Sequence, residues 1–325
     1  MHSSKDIVRQ HYDQHVNLNV STQEALAMRE QGQALPLKQF HNDIKRSLLR
    51  RFATGKDNLL DLCCGRGGDI AKWVEAKLKY VRGVDISEAE VKEAARRWRE
   101  HEPRAQEAAR RHKVEQLYAD FQVEEHLGEA EFDGEGPYDV VTCMFAIHYF
   151  YDMESRLRMF LRNVSQNLKP GGLFIATLPD GHRIMWHTRQ AGAFNSRMLR
   201  LVKDWQGTEH QVDSPFGNRY FFAMTDTVTA GAGSSEGSYE FLTFKTPLMR
   251  LAAHYGLEAL PHYDAPALDH LFEPEDADSP FKHFMPQFAP QADPDGSLAV
   301  ASSINMAVVF RKVEPGQAMC WSKAC

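Results

Sequence analysis

Between residues 56 and 180 the chain alternates short apolar runs with amphipathic stretches, and this rhythm limits the fold more than any other feature of the sequence. DNLLDLCC ends a strand, RGGDIAKWVEAKL opens a helix, YVRGVDIS is a second strand, and SEAEVKEAARRWREHEPRAQEAARRHK is a long charged helix. KVEQLYADF and YDVVTCMFAIHYF follow as strands. MESRLRMFLRNVSQNLKPGG reads as a helix closed by Pro170, Gly171 and Gly172, and LFIATLPD as the next strand. Five short strands with helices between them predict an α/β fold on a mostly parallel central sheet.

The flanks are less regular. Residues 1–54 read as a helical extension, in which Leu37, Phe40, Ile44, Leu48 and Phe52 recur at spacings of three and four and form one apolar face. After Asp180 the pattern weakens: 205–240 is rich in Gly, Ser, Thr and Asp, and TAGAGSSEGS at 229–238 reads as an exposed loop. TFKTPLMRLAAHYGLEAL restarts a helix and a strand. The Pro- and Asp-loaded stretch 273–297 reads as a mobile surface loop, ASSINMAVVFRK as a last strand, and 313–325 as a frayed tail. The expected organisation is an extension at 1–54, a main domain at 55–312 carrying an insertion at about 181–297, and the tail.

Composition narrows the function classes. Hydrophobic residues at 43% and charged residues at 25% exclude wholesale disorder and a disulfide miniprotein. No run approaches the roughly 18 apolar residues of a membrane span, and the N-terminus lacks a signal peptide's apolar stretch, so a soluble intracellular protein with no membrane partner is expected. Five cysteines without C-x-x-C spacing fit a reducing compartment, and the histidines show no metal-binding helix face, so no metal is expected. A net charge of −6 argues against coating long nucleic acid, which requires neutralising many phosphates, and leaves room for a short, local contact.

The sharpest motif is DLCCGRGGD at 61–69, where Gly65, Gly67 and Gly68 allow a tight turn and close approach of a ligand. Ile70 stands where a dinucleotide fingerprint wants a third glycine, and no Gly-Lys-Ser/Thr ending follows as in a P-loop. Asp61 and Asp69 beside the turn suit an amine better than a phosphate, and S-adenosylmethionine offers one. Asp85 closes the second strand 24 residues beyond Asp61, where an acid accepts ribose hydroxyls, and Asp120 in YADF, read as the end of the third strand, faces the adenine edge.

At these residues the sequence resembles the Rossmann-like S-adenosylmethionine-dependent methyltransferases, and within them the eukaryotic mRNA cap guanine-N7 methyltransferases, over most of 7–312. FHNDIK at 40–45 is similar to that family's Phe-Asn-Asn-Trp-x-Lys. CMFAIHYFYD at 143–152 is similar to its Cys-Gln-Phe-x-x-His-Tyr run, and LKPGGLFIATLPD, FGNRYFF and YEFLTF resemble later family segments. The resemblance implies that Lys45, Cys63, Gly65, Asp85, Asp120, Met144 and Tyr149, with Asp61 from the glycine turn, surround S-adenosylmethionine. It implies a guanine pocket of His41, Asn42, Phe145, His148, Tyr149, Pro179 and Glu240, with Arg66 and Arg97 facing the cap's phosphate bridge and Asn305 where the family usually has a tyrosine over the guanine. Cys63, Met144 and Asp43 also depart from the family's glycine, glutamine and tryptophan.

The implied reaction moves a methyl group from S-adenosylmethionine to N7 of the 5′ guanosine cap on RNA by in-line displacement. Guanine N7 already has a lone pair, so no general base is needed and positioning by His148, Tyr149 and Glu240 carries the catalysis. Capped RNA is the implied partner, with other cap-forming enzymes beside it and the nucleus as the implied location. Taken singly, the residues also suit a plainer reading: Phe145 and Tyr149 as core, His148 as a hydrogen-bonded buried histidine, Glu240 as a surface acid, Arg97 as part of a solvated helix face. Two rivals share the cofactor turn, a methyltransferase for a small metabolite and a catalytically silent cap-binding subunit.

Overall fold

The computed structural model describes residues 32–208, 211–225 and 237–313. Helix α1 (Leu35–Phe52) buries Leu37, Ile44, Leu48, Leu49 and Phe52 along the face the spacing predicts, and Arg50 and Arg51 in its last turn complement the helix dipole. The alternating region then folds as β1 (Asn58–Leu62), α2 (Ile70–Glu75), β2 (Tyr80–Asp85), α3 (Glu88–His112), β3 (Tyr118–Val123), β4 (Tyr138–Met144), a 3-10 turn (Ile147–Asp152), α4 (Glu154–Asn167) and β5 (Leu168–Pro179). Ser87 caps α3 by accepting the Glu90 N–H at 3.1 Å, ahead of acidic residues in the first turn and Arg110, Arg111 and His112 in the last.

Next come α5 (Gly181–His187), β6 (Ala193–Asn195), β7 (Leu199–Asp204), β8 (Arg219–Met224), β9 (Ser238–Phe241), α6 (Lys245–His254), β10 (Leu257–Ala259), β11 (Phe281–His283), α7 (Ser297–Ser303) and β12 (Asn305–Lys312). The main sheet runs in the order β10-β12-β5-β4-β1-β2-β3, with β11 paired to β12 off this path. Strands β1 to β5 pair in parallel, and β12 runs antiparallel to both β5 and β10. Strand order reverses between β4 and β1, so their carboxyl ends open the crevice where ligands bind in such sheets. Leu60 and Leu62 of β1 enter one core and Leu59 the other, as the two-residue period of a strand covered on both faces requires.

The segment after β5 builds a second, antiparallel sheet in the order β6-β7-β8-β9. Its inner face packs Leu199, Leu201, Tyr220 and Met224 against Ile184 and Met185 of α5 and Leu298 of α7.

Several sequence expectations change here. The insertion does not run unbroken to 297: α6 returns the chain, and β10 and β11 belong to the main sheet. Pro170, Gly171 and Gly172 do not end a helix but lie within β5, where pairing with β4 steps from Tyr138 and Leu168 to Val140 and Leu173, and Gly171 adopts φ +73°. The stretch read as a mobile loop holds buried Phe281, Lys282, His283 and Phe284. His283 is clamped there between Asp276 (Nδ1, 2.7 Å) and Asp180 (Nε2, 2.9 Å). Burial works against its charge, yet the two carboxylates raise its pKa above the usual histidine value. Asp180, also 3.2 Å from Lys245 Nζ, caps α5 by accepting the His182 N–H at 2.8 Å. The extension's first 31 residues, most of the loop read at 229–238, and residues 314–325 of the tail lie outside the described residues.

Candidate functional site

The glycine turn leaves β1 and enters α2 at the crevice. Gly65 and Gly67 hold φ +53° and +71°, and a Cβ at Gly67 would sit 2.7 Å from Ile70 Cδ1. Cys63, where the family pattern has glycine, also sits in the left-handed region at φ +59°. The Asp85 carboxylate fastens the turn to β2 by accepting the Gly65 N–H at 2.8 Å and the Ser87 N–H at 3.0 Å.

Three acids converge behind this turn, all buried. Burial, then the neighbouring Asp69, pushes Asp61 up to about 7, against a 2.6 Å hydrogen bond from Thr142 and the charge of Lys45. Burial raises Asp85 to about 6 despite its amide partners. Asp69 is also penalised by burial, but Lys45 Nζ at 2.7 Å and Lys72 Nζ at 2.8 Å hold it down to about 2. Raised, crowded carboxylates favour a positive ligand. Asp61 and Asp85 therefore fit the ammonium and ribose hydroxyls of S-adenosylmethionine, each carboxylate oxygen retaining a second lone pair.

Asp120 does not join them. Strand β3 continues to Val123, and register sets Val123, not Asp120, beside Asp85. Asp120 pairs with Arg82, three residues back and on the opposite face from Asp85, and its carboxylate takes Arg82 Nε at 2.9 Å and the Tyr80 hydroxyl at 2.5 Å. Met144 ends β4 half-buried, its Sδ 3.8 Å from Thr177 Oγ1. Tyr149, on the 3-10 turn, packs against the core and lies 4.1 Å from His148, ring centre to ring centre.

The second half of the site faces the inner side of β8 and β9. His148 is buried, and neither ring nitrogen has a hydrogen-bond partner among the described residues. A buried polar group pays for lost water unless something replaces it, so both nitrogens are left with hydrogen-bonding capacity to spare. Glu240 Oε2 stands 3.8 Å from His148 Nε2. The Tyr220 hydroxyl donates to Glu240, and Ser238 Oγ lies 3.4 Å from its other oxygen. Burial pushes His148 below the ordinary histidine pKa against the pull of Glu240, which keeps the imidazole neutral.

Phe145, at φ +59° just after β4, stacks on His41 with centroids 4.9 Å apart and rings 20° from parallel. Phe284 meets His41 edge-on at 5.7 Å, and Ser302 Oγ is 3.1 Å from His41 Nε2. Burial, helped by Lys45, lowers His41 to about 3. Pro179 ends β5 and accepts from the Thr243 hydroxyl.

Four other candidates are engaged elsewhere. Asn305 does not cover the pocket: its amide donates to Ala301 O at 2.9 Å and Ser302 O at 3.3 Å, closing α7. Asn42 donates to Lys38 O on its own helix at 2.8 Å. Arg66 forks onto buried Glu90 at 2.7 and 3.2 Å, and Arg97 binds Glu93 at 2.6 Å. Glu90, Glu93 and Arg97 share one face of α3 at spacings of three and four, so both arginines line that face.

Tyr220, Phe284 and Thr142 escaped the sequence reading, and Asp69 was named there only as a loop acid. Tyr220 lies in FGNRYFF, whose partner strand carries Glu240, but the pairing that joins them is invisible along the chain.

A sheet path in which only β12 opposes its neighbours, with an acid-lined glycine turn at its switch point, defines a Rossmann-like methyltransferase domain. A family model described as the mRNA (guanine-N(7))-methyltransferase domain matches residues 1–313, and the chain belongs to that family. It is 32% identical over 255 residues to mRNA cap guanine-N(7) methyltransferase 1 of Arabidopsis thaliana, covering 77% of this chain and 65% of that protein. To the protein of the same name from Oryza sativa subsp. japonica it is 32% identical over 263 residues, covering 79% and 66%. The mRNA cap guanine-N(7) methyltransferase of Saccharomyces cerevisiae is 27% identical over 272 residues, with 78% and 56% covered. The chain thus spans just under two thirds of the length of the plant relatives it matches.

Proposed function

We propose that the protein methylates N7 of the 5′ guanosine cap on RNA, using S-adenosylmethionine as donor. The observation that carries this reading is a buried polar pair, His148 and Glu240, in a chain whose glycine turn is lined with acids, with both histidine nitrogens lacking a hydrogen-bond partner among the described residues. A carboxylate accepts from the N1 and N2 donors of guanine, and a neutral imidazole supplies the complementary partner. When bound, the donor supplies a methyl group already activated by its sulfonium charge. Asp61, Asp85 and the Gly65 turn hold its amine and ribose, and the pocket walls aim the guanine.

No side chain is asked to remove a proton, so the residues act by orientation and by excluding water. Glu240 adds an electrostatic share, because methylated guanine gains positive charge beside a fixed carboxylate. For the phosphate bridge to be met by Arg66 and Arg97, as the family pattern implies, each exchanges or shares its pairing with Glu90 or Glu93, and the enzymes that build the cap are the natural neighbours. We assign the work to the nucleus on the same ground.

The test is methyl transfer from labelled S-adenosylmethionine to RNA ending in GpppN, beside uncapped triphosphate RNA and RNA already methylated at N7. Label on the unmethylated cap alone is the expected result. Cofactor binding without label on any RNA overturns the proposal in favour of a small-molecule acceptor, and absence of cofactor binding removes the enzyme reading.

A further inference from the structure

Successive side chains on a strand point to opposite faces. The strands that turn Tyr220 and Glu240 into the pocket therefore turn Phe221 and Tyr239 outward. Register sets Phe221 between Val202 of β7 and Tyr239 of β9, and the two rings meet edge to face at 5.6 Å. Each ring has a guanidinium over it: Arg219 lies 4.3 Å from the centre of Tyr239, and Arg200 lies 5.5 Å from the centre of Phe221. Arg200 and Arg219 are exposed, and Tyr239 is 43% exposed. Among the described residues one acid shares the face, Asp204, 2.6 Å from Arg219.

We propose that this outer face of β6 to β9 is a platform for single-stranded RNA beyond the cap. The inference rests on capped RNA being the substrate. A sheet face offering an exposed tyrosine and a half-buried phenylalanine beside guanidinium groups matches what unpaired RNA presents, bases with π faces linked by phosphates. Bases stack on Tyr239 and Phe221 without regard to sequence, while Arg200 and Arg219 meet the backbone. Adjacent residues of the same strands supply the pocket and, on the opposite face of the sheet, the platform, so RNA leaving the pocket reaches it around the sheet edge. It also reconciles an acidic chain with an RNA substrate, since few phosphates are contacted.

The experiment uses the whole chain and a labelled, uncapped RNA of about a dozen nucleotides, within the usual range of single-strand sites. The double variant R200A/Y239A should bind it about tenfold or more weakly than the parent, by loss of a stacked base and a phosphate contact. It should methylate the dinucleotide GpppG as the parent does. The charge reversal R200E, a single exposed change, should weaken RNA binding likewise and serves if the double variant misfolds. Equal RNA binding by parent and variants, or no RNA binding by the parent, overturns the platform. Loss of RNA binding in the variants while the parent leaves GpppG unmethylated upholds the platform and removes the cap reading instead.

Discussion

His148 and Glu240 face each other across 3.8 Å, nitrogen to oxygen, too far for a hydrogen bond and near enough for one charge to bias the other group's protonation. The carboxylate is already oriented, with the Tyr220 hydroxyl on one oxygen and Ser238 near the other. Glu240→Ala should therefore lower kcat/KM for cap methylation by roughly a hundredfold or more, the scale of removing one partner of a buried charged contact. Tyr220→Phe should cost about tenfold, because the carboxylate remains but loses a charged hydrogen bond. Calorimetric affinity for S-adenosylmethionine should stay put in both variants, and a matching fall in that affinity would show the wrong half of the site had been disturbed.

Cofactor binding should be linked to protons. Asp61 and Asp85 titrate near 7 and near 6 in the folded protein, above the ordinary carboxylate value, so these two groups hold more protons in the folded state than in the unfolded one between about pH 4 and pH 7. Their contribution to the stability of the ligand-free protein therefore falls as pH rises through that window, while His41, lowered to about 3, contributes in the opposite sense. Asp69, depressed to about 2, makes its own contribution fully above its unfolded pKa and does not alter the slope there. A cationic ligand favours the ionised acids, so S-adenosylmethionine should bind more tightly at about pH 7.5 than at about pH 5.5 and release protons as it does so. Titrations at about pH 6.5 in two buffers of different ionisation heat measure the release, and Asp61→Asn should diminish it.

Cys63 holds a left-handed backbone, φ +59°, at the position where the family pattern has glycine. Glycine there removes strain but adds freedom to the unfolded chain and gives up the thiol's packing, so Cys63→Gly should melt within about 1 kcal/mol of the parent. Cys63→Val places a β-branched side chain in the same conformation and should lose about 1–2 kcal/mol. Denaturant unfolding of the three proteins checks the order; a valine variant as stable as the parent would contradict the conformation.

The His283 clamp predicts an effect of opposite origin. Its raised pKa means the clamp contributes fully below the unfolded histidine pKa and is lost as pH climbs through the higher folded value. The charges facing it are Asp180, Asp276, Glu273, Lys245 and Arg183. His283→Ala strips a partner from two acids and should cost about 3–5 kcal/mol, a drop of about 5 °C or more in melting temperature. The loss should shrink at alkaline pH, where the parent's clamp is itself discharged, as thermal melts across pH will register.

The central sheet could be read from the chain because its signal is local: each apolar run between 58 and 179 contains a strand and each amphipathic run a helix, although the run read as one strand from Tyr138 ends its strand at Met144 and turns into a 3-10 helix at Ile147–Asp152. What failed was register and partnership. Asp120 looked like a strand end, but β3 runs three residues further and Arg82 claims the carboxylate. Asn305 looked like a pocket wall, but the preceding helix takes its amide. The stretch 273–297 looked like a loop because Pro and Asp outnumber its few aromatic residues, and neither β11's three-residue pairing nor the Asp276 and Asp180 bonds to His283 leave a periodic trace. Glu240 was found through resemblance, and Tyr220, its cross-strand neighbour, was not.

The alternation along β8 and β9 also bears on how such a chain can vary. Tyr220 faces inward and Phe221 outward, and so do Glu240 and Tyr239, opposite each other across one ladder. Deleting a single residue upstream within either strand would swap the two faces, sending the pocket carboxylate into solvent and an aromatic ring into the pocket. Length change inside these strands is therefore tolerable only in steps of two, whereas substitution is free to tune one face and leave the other alone. A ribbon of this kind evolves by editing letters, with its spacing held as a reading frame.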